Sequence, residues 1–138
     1  MTEEHCIFCE IISGAIPAAV VYEDDGTIAF LDMMPVNKGH ALVVPKKHSR
    51  NIFDASHETL AYLMPVAQKI ARAVQKGTGA EGINIHMNNE PAAGQVVFHI
   101  HIHVIPRFHK DGITMWKGRP YLDGEMQRLA SQIKTALR

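Results

Sequence analysis

The chain has no charge of either sign in excess, very little cysteine and no long apolar run. Its 138 residues carry 14 lysines and arginines against 14 aspartates and glutamates, so the formal charge is zero with histidine neutral. That balance leaves no basic field for a nucleic acid polymer or an anionic membrane surface, and neither is expected as a partner. No apolar stretch approaches the ~20 residues that cross a bilayer. The only two cysteines, Cys6 and Cys9, are too few for a secreted disulfide scaffold. The opening Met-Thr-Glu-Glu-His lacks the basic and apolar regions of a signal peptide, so the cytoplasm is the expected location. No repeat, low-complexity segment or linker divides residues 1–138, and one domain is expected. An apolar content of 46% is enough to give that domain a core.

What the chain does have is histidine, nine in all, three of them alternating in Gly94-Gln-Val-Val-Phe-His-Ile-His-Ile-His-Val-Ile105. The run from Val96 to Ile105 is β-branched and aromatic and stops at Pro106, which predicts a strand. Side chains alternate along a strand, so His99, His101 and His103 share a face with neighbours ~6.8 Å apart. Ile100, Ile102 and Val104 take the other face, under a helix. Alternate polar residues are what any half-buried strand shows. A merely solvated face would carry Thr, Lys or Glu, however, and a row of imidazoles marks chemistry.

The remaining elements follow in order. Cys6–Ile12 predicts a short helix stopped at Gly14, and Cys-x-x-Cys is half of a tetrahedral metal site, a redox dithiol or a pair of buried thiols. Ala18–Tyr22 and Thr27–Asp32 form a hairpin across Glu-Asp-Asp-Gly. Ile28, Phe30 and Asp32 share a face, so Asp32 either caps the turn through Met33-Met34-Pro35 or ends an apolar slot suited to a nucleoside. Gly39–Pro45 is a third strand carrying His40, Leu42 and Val44 on one side, followed by a solvated Lys46-Lys47-His48 loop. Ser56 caps a helix running to about Lys76, stopped by Gly77 and interrupted by Pro65 with a kink or a later start. Met33 and Met64 are expected as core filler. Gly82–Asn88 forms a fourth strand, antiparallel to the histidine strand, placing Asn88 and Gln95 beside the histidines. Gly94 permits close approach of the backbone to a ligand. Asp123 is expected to cap a last helix at about 122–137, with Met126, Leu129, Ala130, Ile133 and Leu137 on its apolar face. The fold class is α+β, an antiparallel sheet of about five strands with one long central helix and a C-terminal helix, the helices lying on one face of the sheet.

His-Ile-His-Ile-His-Val-Ile matches the His-x-His-x-His-x-x signature of the histidine triad (HIT) superfamily of nucleotide hydrolases and transferases. Cys-Ile-Phe-Cys at 6–9, Phe-Leu-Asp at 30–32, Gly-His at 39–40, Pro-Lys-Lys-His at 45–48 and Gly-Gln at 94–95 stand in the order of that family's other landmarks. The resemblance covers a motif-bearing core at residues 6–108. It implies the HIT fold, a homodimer, and cleavage of purine nucleotides at the α-phosphorus through a nucleotidyl-histidine, with AMP or GMP conjugates as substrates. His101 would be the nucleophile, His103 the donor to phosphate oxygens or leaving group, and Gly94 and Gln95 the phosphate-binding pair. Asn88 would meet the sugar or phosphate, and Asp32 the ribose hydroxyls. Ile7, Phe8, Ile11, Phe30, Leu31 and Met33 would wall the base and ribose pocket. His40 matches a buried family histidine near the triad.

The resemblance also implies one structural zinc ion on Cys6, Cys9, His48 and His99; no organic cofactor is expected. Val96 stands where phosphoramidate-cleaving members often carry serine, which leaves an amine, a second nucleotide or a sulfate as leaving group. Two other readings stay open. One is a zinc metallohydrolase built on the three histidines, which lacks a carboxylate base in the motif. The other is a nucleotide-binding regulator or scaffold with weak activity.

Overall fold

The computed structural model describes residues 5–137; residues 1–4, on which the expected lack of a leader mainly rests, lie outside the described residues. Its elements are α1 (Ile7–Ile12), β1 (Val20–Glu23), β2 (Thr27–Leu31), β3 (Ala41–Pro45), α2 (His57–Thr78), β4 (Gly82–His86), β5 (Ile102–Arg107) and α3 (Glu125–Ala136). The five strands form one antiparallel sheet in the order β1-β2-β3-β5-β4. The expected α+β architecture is therefore present.

One face of the sheet is buried under α2. Leu63, Val66, Ala67, Ile70 and Val74 recur at helical spacing and pack on Ala29, Ala41, Val43, Ile100, Ile102 and Val104. Leu63 and Ile100 are fully enclosed, so truncating either to alanine would cost about 2–5 kcal/mol. Ser56 caps α2 by accepting from the Thr59 N–H, as its sequence predicts. The helix ends later than expected, because Gly79 rather than Gly77 takes the left-handed C-cap at φ 72°. Pro65 delays nothing: α2 already begins at His57, and the proline sits on the exposed side, where water can satisfy the carbonyl it leaves unpaired.

The second face is smaller and carries the chemistry. Ile28, Phe30, Leu42 and Val44 form its floor, and α1 closes over one end with Cys6 and Phe8. The helices therefore do not share one face. Met33 and Met64 are 90% and 54% exposed, so neither fills the core. The C-terminal helix is capped by Gly124 at φ 75° instead of Asp123, and none of its residues is buried. Its expected apolar face is open, with Met126, Ile133 and Leu137 all more than half exposed.

The expected triad strand is shortened at its start and extended at its end. Residues 96–101 are irregular, with bends at 97–99, and regular pairing begins at Ile102. The strand then continues through Pro106, which lies beyond the last β3 partner, Ala41–Val104. The Pro106 carbonyl accepts from the Asn37 side chain at 2.9 Å, on an edge where no β3 carbonyl waits for the missing N–H.

Candidate functional site

The irregular segment at 96–101 preserves the alternation that the sequence shows. Ile100 joins the core under α2, while His99 and His101 turn to the opposite face and pack edge-on against Phe8. Both are buried rather than solvent-facing. His103 follows on β5 and is partly exposed, its ring centroid 4.9 Å from that of His101.

His40, His99 and His101 are each oriented by a backbone partner and His103 by the His40 ring, and these partners assign their protons. The His101 Nδ1–H donates to the His99 carbonyl at 2.6 Å, which leaves the Nε2 lone pair free. The Val36 N–H donates to His40 Nδ1 at 3.1 Å, so the His40 proton sits on Nε2. That Nε2–H donates to His103 Nδ1 at 2.9 Å, and neutral His103 then carries its own proton on Nε2. The His99 Nε2–H donates to the Pro45 carbonyl at 2.7 Å, leaving the His99 Nδ1 lone pair to face inward. Burial lowers the basicity of all four rings, holding His99 at about 4 and His103 at about 3. All four are therefore neutral near pH 7.

The inward lone pair of His99 meets Cys6 Sγ at 3.4 Å, Cys9 Sγ at 3.5 Å and His48 Nδ1 at 3.1 Å. Cys9 Sγ is also 3.4 Å from His48 Nδ1. Two thiols and two imidazole nitrogens thus converge, each able to offer an electron pair to a metal. Bonds of about 2.0–2.3 Å around one zinc would set such donors roughly 3.3–3.8 Å apart, so the set fits a closed tetrahedral ion. Asp32, His40 and His103 also lie within metal-binding reach of one another. Because Val36 fixes the His40 proton on Nε2, that atom has no lone pair for a metal, and the second cluster is a hydrogen-bond chain.

A cleft of about 860 Å³ opens over this face. Ile7, Phe8, Ile11, Phe30, Leu31 and Met33 line it with Asp32, Asn88, Gly94, His101 and His103. Asp32 caps its turn by accepting from the Met34 N–H at 2.8 Å, and its second oxygen stays 3.7 Å from His40. Turn and cleft readings of Asp32 are thus compatible. His40 is buried behind His103, outside the cleft lining.

Gln95 lies elsewhere. Its side chain is buried and committed, accepting from the Glu90 N–H and Asn51 Nδ2 and donating to the Arg50 and Val97 carbonyls. Its backbone N–H donates to the Glu90 carbonyl. Glu90 in turn holds Arg50 through two contacts of 2.8 Å. Sequence reasoning missed this brace, since Arg50, Asn51 and Glu90 are ordinary surface types whose meeting depends on two loops. It also gave no role to His86, although the alternation of β4 already places His86 on the histidine face.

These features have counterparts in known proteins. A family model described as the HIT domain matches residues 13–110. The chain belongs to the HIT family. The crystal structure of SMU.412c from Streptococcus mutans superposes with a TM-score of 0.93 at 42% identity, covering 99% of this chain and 88% of that one. A zinc-bound histidine triad family protein from Mycobacterium smegmatis gives a TM-score of 0.78 at 38% identity, over 98% and 99% of the two chains. Adenylylsulfatase HINT3 of Arabidopsis thaliana is 36% identical over 98% of this HIT chain and 71% of its own length.

Proposed function

We propose that this HIT protein hydrolyses purine nucleotide conjugates at the α-phosphorus through a nucleotidyl-histidine on His101. The observation that carries the reading is the His101 ring, whose Nδ1–H is tied to the His99 carbonyl. Its Nε2 lone pair is thereby kept for the cleft. In the first step Nε2 bonds to phosphorus as the bond to the leaving atom breaks; the His103 Nε2–H hydrogen-bonds that atom while a water molecule supplies the proton it needs. In the second step the hydroxide so formed attacks phosphorus, and the phosphorus–nitrogen bond breaks to release a nucleoside monophosphate and free His101. An apolar floor of Phe30 and Leu42 suits a purine, and Asp32 suits a ribose diol. Asn88 and Gly94, which line the cleft, would meet the sugar or phosphate. Gln95 is assigned a bracing role beneath that loop.

The relative named as an adenylylsulfatase acts in the same broad chemical class. Among the described residues the lining of this cleft includes no lysine or arginine, which favours a leaving group without a second phosphate or a sulfate. A zinc ion would be held by Cys6, Cys9, His48 and His99, tying α1 to the edge of the cleft and supplying stability. A metallohydrolase on the three triad histidines is disfavoured, because the His99 lone pair turns toward the cysteines while that of His101 is left for the cleft. Pairing of two copies through α2 and the β4 edge is supported by the exposed Met64 and Ile85 on that side. Among the described residues no helix is long and apolar enough to cross a membrane.

The test is turnover of a fluorogenic adenosine phosphoramidate, with and without chelator, beside its guanosine analogue. Release of nucleoside monophosphate that survives chelation supports the reading. Loss of all turnover on chelation, in protein that remains folded, would favour catalysis by metal.

A further inference from the structure

We propose that His86 is a positioning residue for His103, holding that ring by face-to-face stacking so that its Nε2–H stays aimed into the cleft. The inference rests on the functional reading above and adds a residue to it. Register carries the first part of the argument. Phe30 pairs with Leu42, Leu42 with His103, and His103 with His86, so one row of side chains crosses β2, β3, β5 and β4 on a single face. Directly opposed residues in an antiparallel sheet place their side chains against each other. The row therefore runs from the apolar floor of the cleft through His103 to His86 at the outer edge.

The contact itself carries the second part. The His86 and His103 rings lie with centroids 4.7 Å apart and planes 29° from parallel, which is stacking. The opposite restraint comes from His40, whose Nε2–H meets His103 Nδ1 at 2.9 Å. One hydrogen bond fixes one atom and still lets the ring rock about it. A flat partner over the ring face removes that freedom. His86 does not line the cleft, so it acts through His103 and not on substrate. A flat ring at position 86, and not its nitrogens, is what the role requires.

The experiment compares the wild type with His86→Ala, His86→Phe and His86→Leu. It uses steady-state kinetics on the adenosine phosphoramidate and NMR of histidines labelled with nitrogen-15, which reports the His103 tautomer in resting protein. With the stacking partner gone, His86→Ala lowers kcat about fivefold with KM within about twofold of wild type, and mixes the His103 tautomers. His86→Phe recovers most of kcat and the single Nε2–H tautomer; His86→Leu, which fills space without a ring face, does not. An unchanged kcat and tautomer in His86→Ala overturns the proposal, and so does His86→Phe behaving like His86→Ala. Should the alanine variant fail to fold, leucine and phenylalanine decide, because equal behaviour of those two removes any role for the ring face. Should the wild type turn over no nucleotide conjugate, the functional reading falls separately. The tautomer comparison then still judges His86.

Discussion

His101 Nδ1 lies 2.6 Å from the carbonyl oxygen of His99, a bond that one triad histidine makes to the backbone of another. It fixes the tautomer of His101 and leaves only Nε2 to attack phosphorus. Replacing His101 removes that atom, so both His101→Ala and His101→Asn should lose several orders of magnitude in rate. The ring is buried, and the alanine variant also loses packing against Phe8. Asparagine keeps a short polar side chain in that space and should stay nearer the wild-type melting temperature. A folded His101→Asn protein with near-normal turnover would rule out the covalent route.

Asp32 has one oxygen on the Met34 N–H and another near His40 at the mouth of the cleft. Asp32→Asn keeps an acceptor for the turn but loses the charge that favours a diol. The variant should therefore keep its stability while losing preference for ribo- over 2′,3′-dideoxynucleotide substrates by about tenfold or more. Equal discrimination in mutant and wild type would confine Asp32 to the turn.

How much of this site the sequence revealed depended on whether contacts were local. The spacing of Leu63, Ala67, Ile70 and Val74 and the cap at Ser56 delivered α2, because helix signals lie within a few residues of one another. Its end was two residues late, since Gly77 and Gly79 offer the same signal and only the fold chooses between them. The histidine alternation gave the face of each ring, but not that His99 and His101 lie ahead of the regular strand. Burial depends on α1 crossing above them, which no local pattern encodes. The tautomers were out of reach altogether, as they hang on carbonyl and N–H groups of Pro45, Val36 and His99. Glu90 was read only as part of a loop, although its backbone φ is positive.

That backbone supports a third expectation. Glu90 adopts φ 76° and ψ 158°, a region that side chains with a Cβ rarely enter, and it is the only non-glycine with positive φ among the described residues. Such strain costs about 1–3 kcal/mol and persists here because Arg50 and Asn51 hold the carboxylate. Glu90→Ala loses the brace and keeps the strain, whereas Glu90→Gly loses the brace and sheds it. The glycine variant should melt about 3 °C or more above the alanine variant. Equal melting temperatures would mean that no strain is stored.

Acid should destabilise the fold in a window set by imidazoles before carboxylates matter. Burial lowers His40, His86, His99, His101 and His103 from the ordinary value of 6.5, His99 to about 4 and His103 to about 3. Between 6.5 and those values the unfolded chain takes up protons that the folded chain refuses, so stability falls as pH falls. Glu90 and Asp111, whose partners Arg50 and Arg107 hold their carboxyls low, add to that loss only once pH falls into the ordinary carboxylate range. Melting temperature should therefore drop steadily from about pH 7 to about pH 5, ahead of any carboxylate titration. A flat profile over that interval would mean that the buried rings accept protons in place.

The last expectation concerns the four donors left over by catalysis. Cys6 and His99 are wholly buried, and Cys9 on α1 and His48 on the loop after β3 close the set. Thiolates bind zinc once deprotonated, and an ion that binds only the folded chain stabilises it by mass action. Protein purified without chelator or affinity metal should hold about one equivalent of zinc, and chelation should lower its melting temperature by several degrees. Cys9→Ser should show the lower melting temperature from the start and respond little to chelator. Because His101 and His103 lie outside the donor set, residual turnover of the metal-depleted protein should track its folded fraction and not its zinc content. Zinc below about a tenth of an equivalent, with a melting temperature indifferent to chelator, would leave the cluster as buried thiols beside two imidazoles.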